Sequence, residues 1–393
     1  MPIPLMFVSI DVVPRSVRVG LIFYVHFRAQ LTRALNALNH EILDLLIPKL
    51  KWDQSDLRKI VIARGNGPAF CAGGDAKTLI IRGIFQLDYN FATLSKPYVS
   101  VMEVRGGVGI SARAPYRIAT ENTVFAMPET KIGCFPDVRS TYILARLDGW
   151  IETYLALTRN PVTSYEVFHL GLATYCISCI LSVLERFGAL EVPGPHRINE
   201  ALNGFDPEPS SMLQAEWQLS ISRGQIRATL DRAFASRVCI GRRPKYGAKI
   251  AERDYRLSDV LQRDLAINTA AAVCAAPDFN TGRMSVLVNK GPADKRPNWS
   301  PSTLECPRRM CGTCFSVQTL HICPSLAFRP NERQPGSTCV VTLPSENDIG
   351  AFMLENTTHG GVSVEEVVGH FGAKTTGKSG VRFKVKEVLA RRC

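Results

Sequence analysis

The succession of apolar and polar positions between residues 31 and 180 predicts a helix near Asn39–Leu50 and strands at Lys59–Arg64, Tyr98–Val104 and Thr123–Met127. A helix near Ile151–Leu157 follows. Glycine pairs at Gly73-Gly74 and Gly106-Gly107 mark turns between these elements. Strands alternating with helices in this way indicate stacked ββα units. Upstream, residues 1–30 form an N-terminal extension whose longest apolar run, Val19–Phe27, is about half the length needed to cross a bilayer. A buried strand is expected there, and no membrane segment. Downstream, residues 181–305 read as helical, as in Leu213–Ala235. Residues 306–393 open with a cysteine-rich loop and end in helices. One of these helices carries a capping box, Ser363-Val364-Glu365-Glu366, ahead of Val367, Val368 and Phe371.

The candidate chemistry lies on the loops of this pattern. Glycine at a turn lets the main chain approach a ligand with no Cβ in the way and present bare N–H donors. Two such donors can stabilise the oxyanion that develops when a carbonyl is attacked. Two carboxylates eight residues apart, Glu129 and Asp137, follow the second glycine turn. Gly133 and Pro136 forbid one continuous helix between them, so both acids sit on loop-like backbone. Oxyanion donors beside carboxylates, with no metal ligands nearby in sequence, point to acyl transfer.

The strings AFCAGGD (69–75), KPYVSV (96–101), GGVGIS (106–111), YRIAT (116–120), VFAMPETKIGCFPD (124–137) and LALT (155–158) resemble the crotonase superfamily. Within it they are most similar to the 3-hydroxyisobutyryl-CoA hydrolases. The similarity continues through GLATYCI (171–177), PDFNTGRMSVLVNK (277–290) and NWSPSTLE (298–305). It implies an α/β fold, a crotonase-like spiral of ββα units, with the catalytic core in 31–180 and a helical C-terminal region. Hydratases of the superfamily carry a first catalytic glutamate where this chain has Gly109, and usually a glycine where it has Asp137. One carboxylate is lost and another gained, which argues for thioester hydrolysis rather than addition of water to a double bond.

The resemblance also implies roles. The N–H groups of Gly74 and Gly106 would be the oxyanion donors. Glu129 would be the catalytic carboxylate, and Asp137 would position the substrate hydroxyl or share the proton work. Asp88, in LDYN, falls where the family has a substrate-binding glutamate, one methylene longer. The expected activity is hydrolysis of 3-hydroxyisobutyryl-CoA in mitochondrial valine breakdown, with CoA as part of the substrate, no separate cofactor, and a homo-oligomeric enzyme. The chain departs from the family pattern in several places. MEVRGGVG (102–109) is shorter than the family's segment before the second turn, Val138-Arg139-Ser140 stands where the family has glycines, and LTRA (31–34) replaces LNRP. Two alternatives therefore stand beside the hydrolase: another CoA-ester hydratase or isomerase, and a catalytically impaired crotonase-fold protein that acts as a binding partner in a mitochondrial assembly, the ribosome included.

Composition narrows the rest. A chain of 393 residues is long for one core and suggests an appended region. Its 46% apolar and 21% charged residues describe a globular protein. The net charge of +12 is dispersed apart from the tail after Gly372. There Lys374, Lys378, Arg382, Lys384, Lys386, Arg391 and Arg392 face only Glu387, and a solvated helix end is expected. Dispersed charge does not favour a nucleic-acid partner. Arg15, Arg18 and Arg28, with Asp11 the one acid in residues 1–30, suit a mitochondrial transit segment. The twelve cysteines carry no expected disulfide framework. Cys71 and Cys134 should be small apolar fillers, and Cys176 and Cys179 packing residues. The spacing of Cys306, Cys311, Cys314, His321 and Cys323 would permit zinc, but without paired CxxC motifs a surface insertion with no metal is expected.

Overall fold

The computed structural model describes residues 21–27, 37–50, 58–65, 70–71, 73–74, 81–102, 108–111, 114–134, 136–137, 140–144, 146–190, 193–205, 224–235, 257–270, 277–289, 297–299, 343–356, 362–375 and 379–392. The zinc-like cysteine cluster, residues 1–20, and Gly106 and Gly107 of the second turn lie outside them.

The scaffold is a parallel sheet. Its first three strands are β1 (Leu21–Phe27), β2 (Arg58–Gly65), which follows helix α1 (His40–Leu50), and β3 (Tyr98–Met102), which follows α2 (Ile81–Ala92). Next come the short α3 (Val108–Ser111), β4 (Tyr116–Ala119) and β5 (Val124–Phe125). Helices α4 (Ser140–Leu144) and α5 (Ile151–Thr158), β6 (Val162–Thr163), α6 (Ser164–His169) and β7 (Tyr175–Cys176) complete the sheet region. The order is β1-β2-β3-β4-β7, every pair parallel, with Val61 opposite Tyr98, Val99 opposite Tyr116 and Ile118 opposite Tyr175. Such a sheet is covered on both faces, and its strands read as apolar runs rather than alternating ones. All five residues of β3 are buried accordingly.

The period-2 geometry of a strand then sorts side chains by face. Val61 and Ala63 of β2 join Leu43 and Leu46 of α1 and Leu87 and Phe91 of α2. Ile60 and Ile62 point the other way, into a layer with Ile118, Tyr175 and two further helices, α7 (Ile180–Gly188) and α8 (Pro195–Asn203). Asn39 starts α1 by accepting the Ile42 N–H on its side-chain oxygen at 3.0 Å, an ordinary N-cap.

Strand β5 is shorter than Thr123–Met127 because it pairs only with the two residues of β6, Val124 with Thr163 and Phe125 with Val162. Farther on are α9 (Gly224–Ala235), α10 (Leu257–Ala270) and α11 (Pro277–Arg283), the last continuing as a π-helical turn over Met284–Val288. Within 181–305 most of the described residues are helical; of the helix expected at Leu213–Ala235, residues 213–223 lie outside the described residues. Cys179 departs from expectation: it is exposed, just ahead of α7, whereas Cys176 is buried in β7. Among the described residues no helix is long and apolar enough to cross a membrane.

The C-terminal helices are α12 (Glu346–Asn356), α13 (Val364–Thr375) and α14 (Ser379–Arg392). The capping box forms as the sequence predicts: Ser363 Oγ accepts the Glu366 N–H at 3.2 Å, and the Glu366 carboxylate accepts the Ser363 N–H at 2.7 Å. That backbone donor holds the Glu366 carboxyl below its ordinary pKa. The basic tail is a correction. It is not a solvated helix end, because α14 buries Val381, Val385, Val388 and Leu389 together with Lys384 and Glu387. Lys384 pairs with Asp148, Phe383 packs against Phe168 and His169, and the Gly380 N–H reaches the Thr174 carbonyl at 3.2 Å. Counting charges missed this because the apolar residues of α14 are interleaved with the basic ones. Leu389→Ala should therefore cost about 2–4 kcal/mol in urea unfolding, while exposed Lys386→Ala should stay within about 0.5 kcal/mol of the parent.

Candidate active site

After β5 the chain runs through Met127 and Pro128 into a one-turn 3-10 helix, Glu129–Ile132. Gly133 closes that turn at φ 71°, a left-handed conformation that favours glycine. The Cys134 N–H then returns to the Glu129 carbonyl at 3.0 Å. Asp137 follows, and its carbonyl accepts the Ser140 N–H at 3.0 Å and the Ser140 hydroxyl, which opens α4. The two acids thus stand at the two ends of a tight loop, one on a single helical turn and one at a helix start.

This loop is clamped from the far side of the sequence. A Cβ added to Gly133 would lie 2.5 Å from the Asp278 carbonyl oxygen, and one added to Gly282 would lie 2.4 Å from the Ile132 carbonyl carbon. Two backbones meet there at a distance that only glycine permits. The string PDFNTGRM that contributed to the family resemblance is therefore the seat of the Glu129 turn. Sequence reading had given it no role, although a glycine inside a helical run is a signal of close backbone approach.

Glu129 is half-buried as a residue, but its Oε2 is shut off from solvent with no hydrogen-bond partner among the described residues. Its pKa is pushed up to about 8, first by burial and then by the charge of Asp137, against a smaller lowering from its own backbone N–H. The structure thus brings Glu129 and Asp137 within electrostatic reach of each other. At neutral pH Glu129 is mostly protonated, while a modest rise in pH supplies a base inside the fold.

The first glycine turn is built as expected for a close backbone approach. Gly73 has φ 85°, its carbonyl accepts the Leu38 N–H at 2.8 Å, and Gly74 bridges to Leu38. A Cβ on Gly74 would strike the end of the Ile84 side chain at 2.3 Å. Beneath the turn, Cys71 is buried with its sulfur 3.4 Å from the Gly73 nitrogen, and burial pushes the thiol up to about 12. A thiol so placed is inert filler. Asp88, on α2, is fully buried, and its charge helps raise the Cys71 thiol. The structure therefore sets Asp88 near the first turn. Gly106, the other expected donor, lies outside the described residues, and Gly109 sits in α3.

Arg117, in the middle of β4, was not foreseen. It is 1% exposed and donates to the carbonyls of Leu172, Ala114 and Gly171 at 2.6, 2.9 and 3.2 Å. It ties the α6–β7 connection to β4. Nothing in YRIAT distinguishes an inward arginine from an outward one.

A parallel sheet wrapped by helices, with a glycine turn after β2 and an acid shielded from solvent after β5, is the arrangement of a crotonase-type protein. The chain belongs to the enoyl-CoA hydratase/isomerase family, whose pattern matches residues 28–240. A small ribosomal subunit protein mS47 from Neurospora crassa is 29% identical over 91% of this chain and 81% of its own length. A mitochondrial 3-hydroxyisobutyryl-CoA hydrolase from Gallus gallus is 31% identical over 70% of this chain and 81% of its own. In fold, the chain is similar to a carnitinyl-CoA dehydratase from Mycobacterium thermoresistibile, with TM-score 0.60 and 23% identity over 75% of this chain and 94% of that one.

The glycine clamp can be checked directly. Gly282→Ala should destabilise the protein by about 1–3 kcal/mol in urea unfolding, because the backbones must part. Gly369→Ala, in α13 with nothing within 4 Å of the added carbon, should instead stabilise by about 0.5–1 kcal/mol.

Proposed function

We propose that the chain hydrolyses a CoA thioester, 3-hydroxyisobutyryl-CoA, and does so in mitochondria as part of valine breakdown. The observation that carries this reading is the electrostatically coupled pair, Glu129 with its Oε2 closed to solvent beside Asp137, with Gly109 where a hydratase would need its first glutamate. Similarity to the Gallus gallus hydrolase over most of that protein's length supports it.

In the proposed reaction the N–H groups of Gly74 and Gly106 receive the thioester carbonyl oxygen. Ionised Glu129 removes a proton from water as the water oxygen attacks the carbonyl carbon. The tetrahedral intermediate collapses by breaking the C–S bond, and the departing CoA sulfur takes the proton back from Glu129. Asp137 has two tasks: to hold the substrate hydroxyl, and to keep the Glu129 pKa high enough for the carboxylate to be a competent base.

The pH dependence follows with its sign. The active form is ionised Glu129, so kcat/KM should rise about tenfold per pH unit below about pH 8 and level off above it. Asp137→Asn removes a charge that raises the Glu129 pKa, so the midpoint should move to lower pH. Glu129→Gln, nearly isosteric, should cut free-CoA release by roughly a hundredfold or more. A flat profile through this range, or unchanged turnover in folded Glu129→Gln, would remove Glu129 from the mechanism.

One observation favours a second reading. The Neurospora crassa ribosomal protein matches 91% of this chain, whereas the Gallus gallus hydrolase matches 70%. The additional length and the net charge of +12 support a component of a mitochondrial small ribosomal subunit. Sedimentation of the full-length tagged protein from mitochondrial extract separates the readings. Co-migration with the small subunit that is lost as salt rises, in a protein without thioesterase activity, selects the assembly role. Activity in a freely sedimenting protein selects the enzyme.

A further inference from the structure

Several threonine hydroxyls are bonded within the fold. Thr123 Oγ1 donates to the Met102 carbonyl and accepts the Thr120 N–H at 2.7 Å. Thr174 Oγ1 accepts the Arg117 N–H at 2.8 Å and donates to the Arg117 carbonyl at 3.2 Å. Thr93 and Thr158 donate to the carbonyls of Tyr89 and Tyr154, one turn back. Thr130 breaks this pattern. It is half-buried as a residue, yet its Oγ1 is closed off from solvent and meets no hydrogen-bond partner among the described residues. The Oε2 of the preceding residue, Glu129, is in the same condition.

A hydroxyl taken out of water without a partner lowers stability, and folds retain few of them. The turn that carries Thr130 cannot relieve it. The Thr130 carbonyl already receives the Gly133 N–H at 3.3 Å, and the Ile132 main chain abuts Gly282. The β-branched side chain also has few rotamers open to it. Stability given up in this way is retained where function needs the group. The chemistry beside it says what the group is for. An ionised carboxylate only accepts hydrogen bonds. A substrate hydroxyl held by Asp137 gives its proton to that carboxylate, and its oxygen then lacks a donor. Thr130, in the same loop, carries an O–H that can supply one.

We infer that Thr130 determines specificity at this site: its O–H donates to the hydroxyl oxygen of a 3-hydroxyacyl group, while that hydroxyl donates to Asp137. The inference rests on the thioesterase reading and adds to it the reason a hydroxylated acyl group is preferred. A site that bonds a substrate hydroxyl disfavours the analogue lacking it, because its own polar atoms then go unmet.

Thr130→Val keeps the shape and removes the hydroxyl, whereas Thr130→Ser keeps the hydroxyl. The quantity measured is kcat/KM for 3-hydroxyisobutyryl-CoA divided by that for isobutyryl-CoA, from free-CoA release by the full chain. This ratio should fall at least about tenfold in Thr130→Val and stay within about threefold of the parent in Thr130→Ser. Thr130→Ala replaces the valine variant if that one does not fold. The urea midpoint of unliganded Thr130→Val should equal or exceed the parent's, since no internal bond is lost. An unchanged ratio in Thr130→Val, an equal loss on both esters, or a midpoint that falls in Thr130→Val but not in Thr130→Ser overturns the inference. A parent that releases CoA from neither ester overturns the thioesterase reading instead. The ratio is then taken from calorimetric Kd values for the two esters: equal affinities in the parent overturn the inference, and a preference that Thr130→Val loses supports it.

Discussion

Two carboxyl groups within electrostatic reach, one of them closed off from water, cannot both ionise readily at neutral pH. That constraint between Glu129 and Asp137 sets the character of the site. Burial alone would make Glu129 a weak acid; the neighbouring charge makes its protonation state depend on one specific partner. Such an arrangement persists only if the backbone beneath it cannot relax and let water in. The Gly133 and Gly282 contacts, at which a Cβ would collide with opposing main chain, supply that rigidity on one side. On the other, the hydrogen bonds from Ser140 fix Asp137 to the start of α4.

The parallel sheet sets where the first glycine turn, after β2, emerges; the Glu129–Asp137 loop instead leaves β5, which pairs with β6 outside that sheet. Parallel strands return the chain to the same edge after each helix, so loops that follow different strands gather on one side. Arg117 reinforces this from within. A fully buried guanidinium is costly unless its donors are met, and here they draw in three carbonyls from two separate connections. Removing the side chain would leave those carbonyls without their donors, so the residue that costs most to bury also fixes the α6–β7 loop.

Much of this was legible in the sequence. The helix after Asn39, the strands at Lys59–Arg64 and Tyr98, the helix near Ile151 and the capping box at Ser363 all depend on local period or local caps, which a single sequence records. Glu129 and Asp137 were legible as a pair because glycine and proline between them exclude a helix. What escaped reading depends on distant partners. The shortness of β5 is set by β6, the glycine clamp by residues far along the chain, and the burial of Arg117 by carbonyls that no local pattern announces. The placement of Asp88 beside Cys71 is of the same kind.

The tail shows the same limit most sharply, since its composition pointed the wrong way. Seven basic residues against one acid look like a solvated end, yet Lys384 faces inward because Asp148 is there to receive it. Asp148 also accepts the first N–H of α12, while Arg227 of α9 bonds to Asp231 at 2.9 Å and lies 3.7 Å from Glu346. The short segment between α4 and α5 is therefore the point at which α9, α12 and α14 attach. Since α4 begins at Asp137 and α5 packs beside the Glu129 turn, the C-terminal helices and the acid pair hang on one stretch of backbone. Arg382, at 62% side-chain exposure, and exposed Lys386 face outward from a helix whose other side is anchored. A surface held that rigidly can meet a partner without losing conformational freedom on binding.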